Sequence, residues 1–311
     1  MFDVHTHFVP PEVLDWVKSN RAHLRANWDQ RDPAKAEFLT VNGKWSFELK
    51  PEFYTPELYL DAQAQAGVTV SLVSPIPQLF LYEFDPGVTA EMCALYNRAL
   101  ANWVQQHPNR LRGLGTVPLN DPEQSASVLL EAMRLGLKGA IIGPGFGESL
   151  LSHEKFRPFW EAADVQHAVL FIHPLLNEDP RLRSKMMPNL IGVPWETTIA
   201  ATDLVLSGWL DKFPNVHVLL AHGGGFLPYQ LGRLQQGYNV WTNVFANLQA
   251  EPRHYLRRFW YDNVLLSEEA LLFLQSLVGP DRVLPGSDFP FDLKAWPPAR
   301  AHGLEQSFPG F

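Results

Sequence analysis

The feature that most constrains this chain is a repeated alternation of short, apolar, β-rich runs with helical segments. The runs are Phe2 to His7, Val68 to Ser74, Leu111 to Val117, Ala140 to Ile142, Val169 to His173, Val216 to Ala221, Trp260 to Val264 and Arg282 to Gly286. Helices are expected from Thr55-Pro56 to Gly67, about Thr89 to His107, Asp121-Pro122 to Gly136 and Phe156 to Gln166. Three more are expected over about Pro194 to Phe213, about Pro228 to Asn247, and Glu268 to Val278. Thr55 and Asp121 supply caps, each followed by proline at the first helical position, and glycines mark the stops. Strands that are apolar on both faces and separated by helices predict a parallel sheet. Eight such units predict a (β/α)8 TIM barrel. The rival, an open doubly wound sheet, usually carries a glycine-rich phosphate turn after its first strand, and none follows His7.

Length fits either two average domains or one barrel, since barrels run to about 250 residues and more. The stretch 8–55 is rich in proline, tryptophan and charge and reads as irregular, except for a hairpin. Glu37 to Val41 and Lys44 to Glu48 flank Asn42-Gly43, a strong hairpin-turn signal. This insertion is too small for its own core, so a single domain over 1–311 is expected. A net charge of −8 with no basic stripe argues against nucleic acid as a partner. Asp3, His5 and His7 leave no room for a secretory signal at the start of this sequence. The longest apolar run, Thr197 to Leu210, is cut by Asp203 and falls short of the ~18 residues of a membrane span. With one cysteine, Cys93, no intrachain disulfide forms. A cytoplasmic protein without membrane contact is expected.

The chemistry lies at strand ends. Side chains alternate along a strand, so Asp3, His5 and His7 share one face, and two imidazoles at this spacing can reach one metal ion. His173 closes an apolar strand and precedes Pro174. His222 closes another and opens Gly223-Gly224-Gly225, where the backbone can approach a ligand closely. The bland reading of that run is a flexible turn. Asp288, among Phe289, Pro290 and Phe291, is costly to bury unpaired. These groups end strands one, five, six and eight, and in a barrel those ends converge on one face. Three histidines and one aspartate suit Zn2+ or a similar single divalent ion.

These segments resemble the amidohydrolase superfamily, and within it the enzymes similar to aminocarboxymuconate-semialdehyde decarboxylase. The resemblance rests on Phe2-Asp3-Val4-His5-Thr6-His7-Phe8-Val9-Pro10, Asn42-Gly43-Lys44 and Ala66-Gly67-Val68-Thr69-Val70. It also rests on Gly113-Leu114-Gly115-Thr116-Val117-Pro118, Phe171-Ile172-His173-Pro174 and Gly192-Val193-Pro194-Trp195-Glu196-Thr197-Thr198. Ala221-His222-Gly223-Gly224-Gly225 and Gly286-Ser287-Asp288-Phe289-Pro290-Phe291 complete it. The resemblance implies the barrel, one divalent metal (usually zinc) on His5, His7, His173 and Asp288, and His222 as the acid/base beside it. It further implies that Arg233 reaches across a homodimer to the carboxylate of a small-molecule acid.

The sequence departs from that pattern in three ways. Phe47 stands where the muconate decarboxylases carry a carboxylate-gripping arginine; Lys44 or Lys50 is a candidate substitute, without the bidentate fork. Leu175-Leu176 and Asn189 replace family tryptophan-containing positions, while Trp195 replaces a small residue, so the pocket lining is reshaped. From Lys294 onward the helical period is weak, so the last barrel helix is expected to be missing or differently supplied. Phe47, Trp195 and Phe291 are expected to line the pocket. Non-oxidative decarboxylation of an unsaturated or aromatic acid is the leading expectation. Hydrolysis or hydration by the same site is the alternative, and a catalytically silent barrel is a third.

Overall fold

The computed structural model describes residues 1–299 and 308–310. The eight barrel strands are β1 (Phe2–His7), β2 (Val70–Ser74), β3 (Leu111–Gly113, resuming as Gly115–Thr116), β4 (Gly139–Ile142), β5 (Val169–Ile172), β6 (His217–Leu220), β7 (Trp260–Asp262) and β8 (Val283–Leu284). All neighbouring pairs among them are parallel. The ladder runs in two arcs. One joins β1, β2 and the first half of β3; the other runs from the second half of β3 through β4, β5, β6 and β7 to β8. Leu114 interrupts β3, and its N–H donates to Val73 O at 2.8 Å. Between β1 and the chain after β8, single backbone bonds replace a ladder. Val4 N donates to Pro285 O, Asp288 N to His5 O and His7 N to Phe289 O, each at 2.8 Å. A parallel bridge pairs Thr6 with Phe289.

The six-stranded arc is regular because its residues suit it. Gly139–Ile142, Val169–Ile172 and His217–Leu220 pair residue for residue, and apart from the half-buried His217 every member is buried. These runs are apolar on both faces because helices cover the outside and side chains fill the inside. The helices keep most expected positions. Pro122–Arg134 starts at Asp121, whose carboxylate accepts from Gln124 N, and Glu268–Val278 starts at Ser267, whose hydroxyl accepts from Ala270 N.

Several expectations need correction. The helix expected from about Thr89 to His107 starts earlier, at Pro86, because Asp85 caps it by accepting from Gly87 N. The helix expected over Pro194 to Phe213 is Val193–Leu206 followed by Trp209–Lys212, broken where Gly208 adopts φ of 66°. The helix expected to reach Asn247 ends at Val240. The stretch 8–55 is less irregular than expected. It holds a helix, Pro11–Ser19, and a third strand, Asn27–Asp29, beside the expected hairpin of Phe38–Val41 and Trp45–Glu48. Val13, Leu14, Val17, Leu39 and Val41 pack in one apolar cluster with Val73, Tyr96, Leu100 and Phe289 of the barrel. The expected loss of a final helix falls partly on residues 300–307, outside the described residues; among those described, no helix follows Leu284. Among them, too, no helix is long and apolar enough to cross a membrane.

Candidate metal centre and active site

The alternation of β1 carries Asp3, His5 and His7 to the barrel interior, where each is fully buried. His173 and Asp288 are buried beside them, and the His222 side chain is 17% exposed. One ligand atom each from His5, His173, His222 and Asp288 lies within 4.8 Å of the others. His7 belongs to the same cluster. Its Nε2 is 3.1 Å from His5 Nε2 and 3.1 Å from Asp288 Oδ1, and its ring centre is 5.1 Å from that of His173.

Hydrogen bonding decides what these rings offer. His5 Nδ1 donates to Asp262 Oδ2 at 2.6 Å, His7 Nδ1 to Pro75 O at 2.9 Å, and His173 Nδ1 to Pro174 O at 2.9 Å. Each acceptor holds a ring proton on Nδ1, so each ring, when it carries that proton alone, presents an unprotonated Nε2 inward. His173 Nε2 is buried and has no hydrogen-bond partner. His5 Nε2 and His7 Nε2, 3.1 Å apart, cannot both face each other as bare lone pairs: a proton on His5 or a cation between them relieves the repulsion. Three convergent lone pairs and a carboxylate fit a divalent cation, so the residues present satisfy the donor chemistry such an ion requires.

The electrostatics agree. Burial opposes a charged His5, but Asp288 and Asp262 outweigh it and push its pKa up to about 10. Burial pulls His7 below its ordinary value, and His173 further, helped by the charge of its imidazole neighbours. Burial would raise Asp288, yet the surrounding histidines hold it well below the usual carboxylate range. Burial would also raise Asp262, and its contact with His5 keeps it low. Two ionised carboxylates in a buried cluster draw positive charge, which a second proton on His5 or a bound cation supplies.

The backbone is strained where the chemistry is. His222 has φ of 53° and Asp288 φ of 63°, left-handed values that cost a non-glycine residue about 1–3 kcal/mol. The three glycines after His222 serve packing against protein rather than approach to a ligand. Gly223, Gly224 and Gly225 all have positive φ, and a Cβ on them would strike Leu265 at 2.4 Å, the Tyr261 ring at 2.7 Å and Pro194 O at 2.1 Å. Nor is the turn slack, since Asp262 accepts from both His222 N and Gly223 N at 2.9 Å.

Sequence reasoning did not single out Asp262 or Ser287. Ser287 donates its hydroxyl to Asp3 at 2.5 Å and its N–H at 3.0 Å, beneath the histidines. Burial pushes Asp3 up to about 7 against the pull of Ser287. The expected lining residues divide. Phe291 lies 5.2 Å from the His7 ring, and Phe47 and Phe53 lie 5.6 and 4.9 Å from Phe291, an aromatic wall running out from the cluster. Trp195 instead lies half-buried under the Arg181 guanidinium, 5.7 Å away. Arg233 is exposed on the helix Leu227–Val240. Neither lysine offered in place of the missing arginine is free. Lys44 bonds Glu83 at 3.0 Å and Glu178 at 2.5 Å, and Lys50 bonds Asp292 at 2.5 Å. Cys93 is fully buried, and burial pushes its thiol well up, as an inert thiol requires.

A parallel eight-stranded barrel with histidines and an aspartate gathered at its C-terminal strand ends defines a barrel of the metal-binding class. The chain belongs to the amidohydrolase family, whose model matches residues 2–309. It is 30% identical over 298 residues to 2-amino-3-carboxymuconate-6-semialdehyde decarboxylase of Dictyostelium discoideum, covering 94% of this chain and 82% of that one. It is also 30% identical to 6-methylsalicylic acid decarboxylase of Penicillium expansum, covering 93% of this chain and 84% of that one. Among solved structures, 5-carboxyvanillate decarboxylase of Sphingomonas paucimobilis superposes with a TM-score of 0.77 at 25% identity, covering 93% and 88% of the two chains. A 5-carboxyvanillate decarboxylase of Novosphingobium aromaticivorans, solved with bound manganese, has the same fold, with a TM-score of 0.79 at 22% identity and coverage of 93% and 86%. The donor cluster supports a single divalent metal here.

Proposed function

We propose that this protein is a metal-dependent, non-oxidative decarboxylase of an aromatic or unsaturated carboxylic acid. The observation that carries this reading is the set of three buried imidazoles whose Nδ1 protons are committed elsewhere, leaving three Nε2 atoms to converge beside Asp288. His5, His7, His173 and Asp288 would hold the ion. Bound there, a divalent cation would supply Lewis-acid polarisation of a substrate oxygen and stabilisation of the negative charge left as CO2 departs. The donor set suits Zn2+, with Mn2+ as the other outcome of elemental analysis, given the manganese in a solved relative.

His222 takes a different part. Its Nε2 is 3.6 Å from Asp288 Oδ2, and its Nδ1 has no hydrogen-bond partner. No acceptor locks its tautomer, and its ring is the most open in the cluster. Those properties suit a group that delivers a proton. When the C–C bond breaks, CO2 leaves and its electron pair stays on the ring or alkene carbon; a proton from His222 completes the product. Asp288 orients His222 while it carries the proton.

The aromatic wall supports an aromatic acid whose only carboxylate is the one lost. Phe47 and Phe291 offer ring faces and edges to an apolar substrate ring. Lys44 and Lys50 are neutralised by acids and offer no counter-charge to a second carboxylate. Arg233 is the candidate for a contact across a homodimer, which sedimentation of wild type and R233A would examine. A single cysteine, with no disulfide possible within the chain, fits a cytoplasmic location.

The test is direct. Purified protein loaded with Zn2+ is mixed with 6-methylsalicylic acid, hydroxylated benzoates and aminocarboxymuconate semialdehyde, with and without chelator. Chelator-sensitive release of CO2 from a monocarboxylic aromatic acid is the expected result. A product that has gained water, with no CO2, would replace decarboxylation by hydrolysis or hydration.

A further inference from the structure

We infer that Asp262, at the end of β7, is a positioning residue that ties the metal-binding ring of His5 to the turn that presents His222. The inference rests on the metal centre proposed above and adds a residue that neither the family resemblance nor the ligand set supplies.

The carboxylate is fully buried and both its oxygens are used twice. Oδ2 accepts from His5 Nδ1 at 2.6 Å and from His222 N at 2.9 Å. Oδ1 accepts from Gly223 N at 2.9 Å and from Val264 N at 3.1 Å. One oxygen therefore contacts both a ring on β1 and the backbone of the turn after β6. Gly286 lies so close that a Cβ on it would come within 2.8 Å of Asp262 Cβ and 3.1 Å of His5 Cβ, so the pair has no room to slide. The turn is held in left-handed backbone at both His222 and Gly223, a conformation that needs donors anchored from outside. A carboxylate is the one short side chain that can accept from four donors at once.

The isosteric amide separates this from a packing role. Asn in place of Asp262 has one oxygen and one donor nitrogen. If the nitrogen faces His5, it donates to Nδ1 and moves the ring proton to Nε2, which then cannot bind the ion. If the nitrogen faces Gly223 and Val264, two backbone N–H groups meet a third donor and the turn shifts. Each arrangement breaks one half of the link, while volume and burial stay the same.

The experiment compares wild type, D262N and L170A in the metal-loaded protein. Metal affinity is measured by chelator competition, and kcat and KM are measured on the acid that wild type decarboxylates. For D262N the expected result is metal affinity lowered by about 10–100-fold, the usual cost of losing such a partner, with kcat falling and KM little changed. L170A, a core truncation, should lower thermal stability while keeping wild-type metal affinity. D262N with wild-type metal affinity would overturn the inference and leave the metal reading standing. Wild type that binds no ion would overturn the metal reading itself. If D262N does not fold, a structure of metal-loaded wild type decides: the ion on His5 Nε2 with Nδ1 still on Asp262 supports the link, and an ion on Nδ1 or on Asp262 sinks it.

Discussion

The two sides of this barrel are built by different means. From β4 to β6 the ring is a ladder in which every residue finds its partner in strict register, and apolar side chains do the rest. At the seam between β1 and the segment after β8 the ladder stops, and polar side chains take over. Asp3 receives Ser287, Asp262 receives His5, and single backbone bonds cross at Val4, His7 and Asp288. The regular arc is where stability accumulates. The seam brings Asp3, His5, His7, Ser287 and Asp288 to the candidate metal centre, and the arc adds His173 and His222 just past the ends of β5 and β6. The lesson is that the strained and polar features gather at strand ends and where the ladder fails, while the ladder itself is apolar and regular.

That contrast predicts different damage on the two sides. The largest effect is expected in the turn just past β6: H222A should keep its metal and lose about 10²–10⁴-fold in kcat, the typical contribution of a positioned acid/base. Metal content by elemental analysis and single-turnover CO2 release check both halves; a variant that turns over normally would remove His222 from the chemistry. Next comes the arc. Leu170 is fully buried and paired with Ala140 and Val218, so L170A should cost about 2–5 kcal/mol of stability with metal stoichiometry unchanged. Denaturant unfolding measures the loss, and a drop in metal content would blur the division drawn here. Third, S287A strips a hydroxyl from buried Asp3 and leaves Phe289 N without its acceptor, at about 1–3 kcal/mol. Unlike L170A it should also weaken metal retention, which dialysis against chelator would follow. Smallest is K44A. Its acid partners are 49% and 62% exposed, and such pairs contribute about 1 kcal/mol or less. A larger shift in unfolding midpoint would show that the hairpin tip matters more to the barrel than its exposure implies.

The legibility of this molecule in its sequence follows the same division. The arc was readable because Val169–Ile172 and His217–Leu220 carry their burial in their own composition. His5 and His7 were readable from a period of two, and His173, His222 and Asp288 from their places just after apolar runs. Asp262 was not readable, because its partner His5 lies 257 residues away and nothing local marks an aspartate after Trp260-Tyr261 as different from a strand terminus. The glycines after His222 announced a turn, but only the packing of Leu265, Tyr261 and Pro194 against them explains it. Pro11–Ser19 was missed since its start has no side-chain cap to advertise it. Lys44 and Lys50 looked available because their acid partners Glu83, Glu178 and Asp292 sit on distant loops.

The bond between His7 and Asp288 spans 281 positions of the chain. A polypeptide leaving the ribosome therefore displays His5 and His7 early and acquires their carboxylate only when nearly all of it has been made. Contacts of such sequence separation form late. The full donor set therefore comes together only with the last strand, and no shorter stretch of the chain holds it.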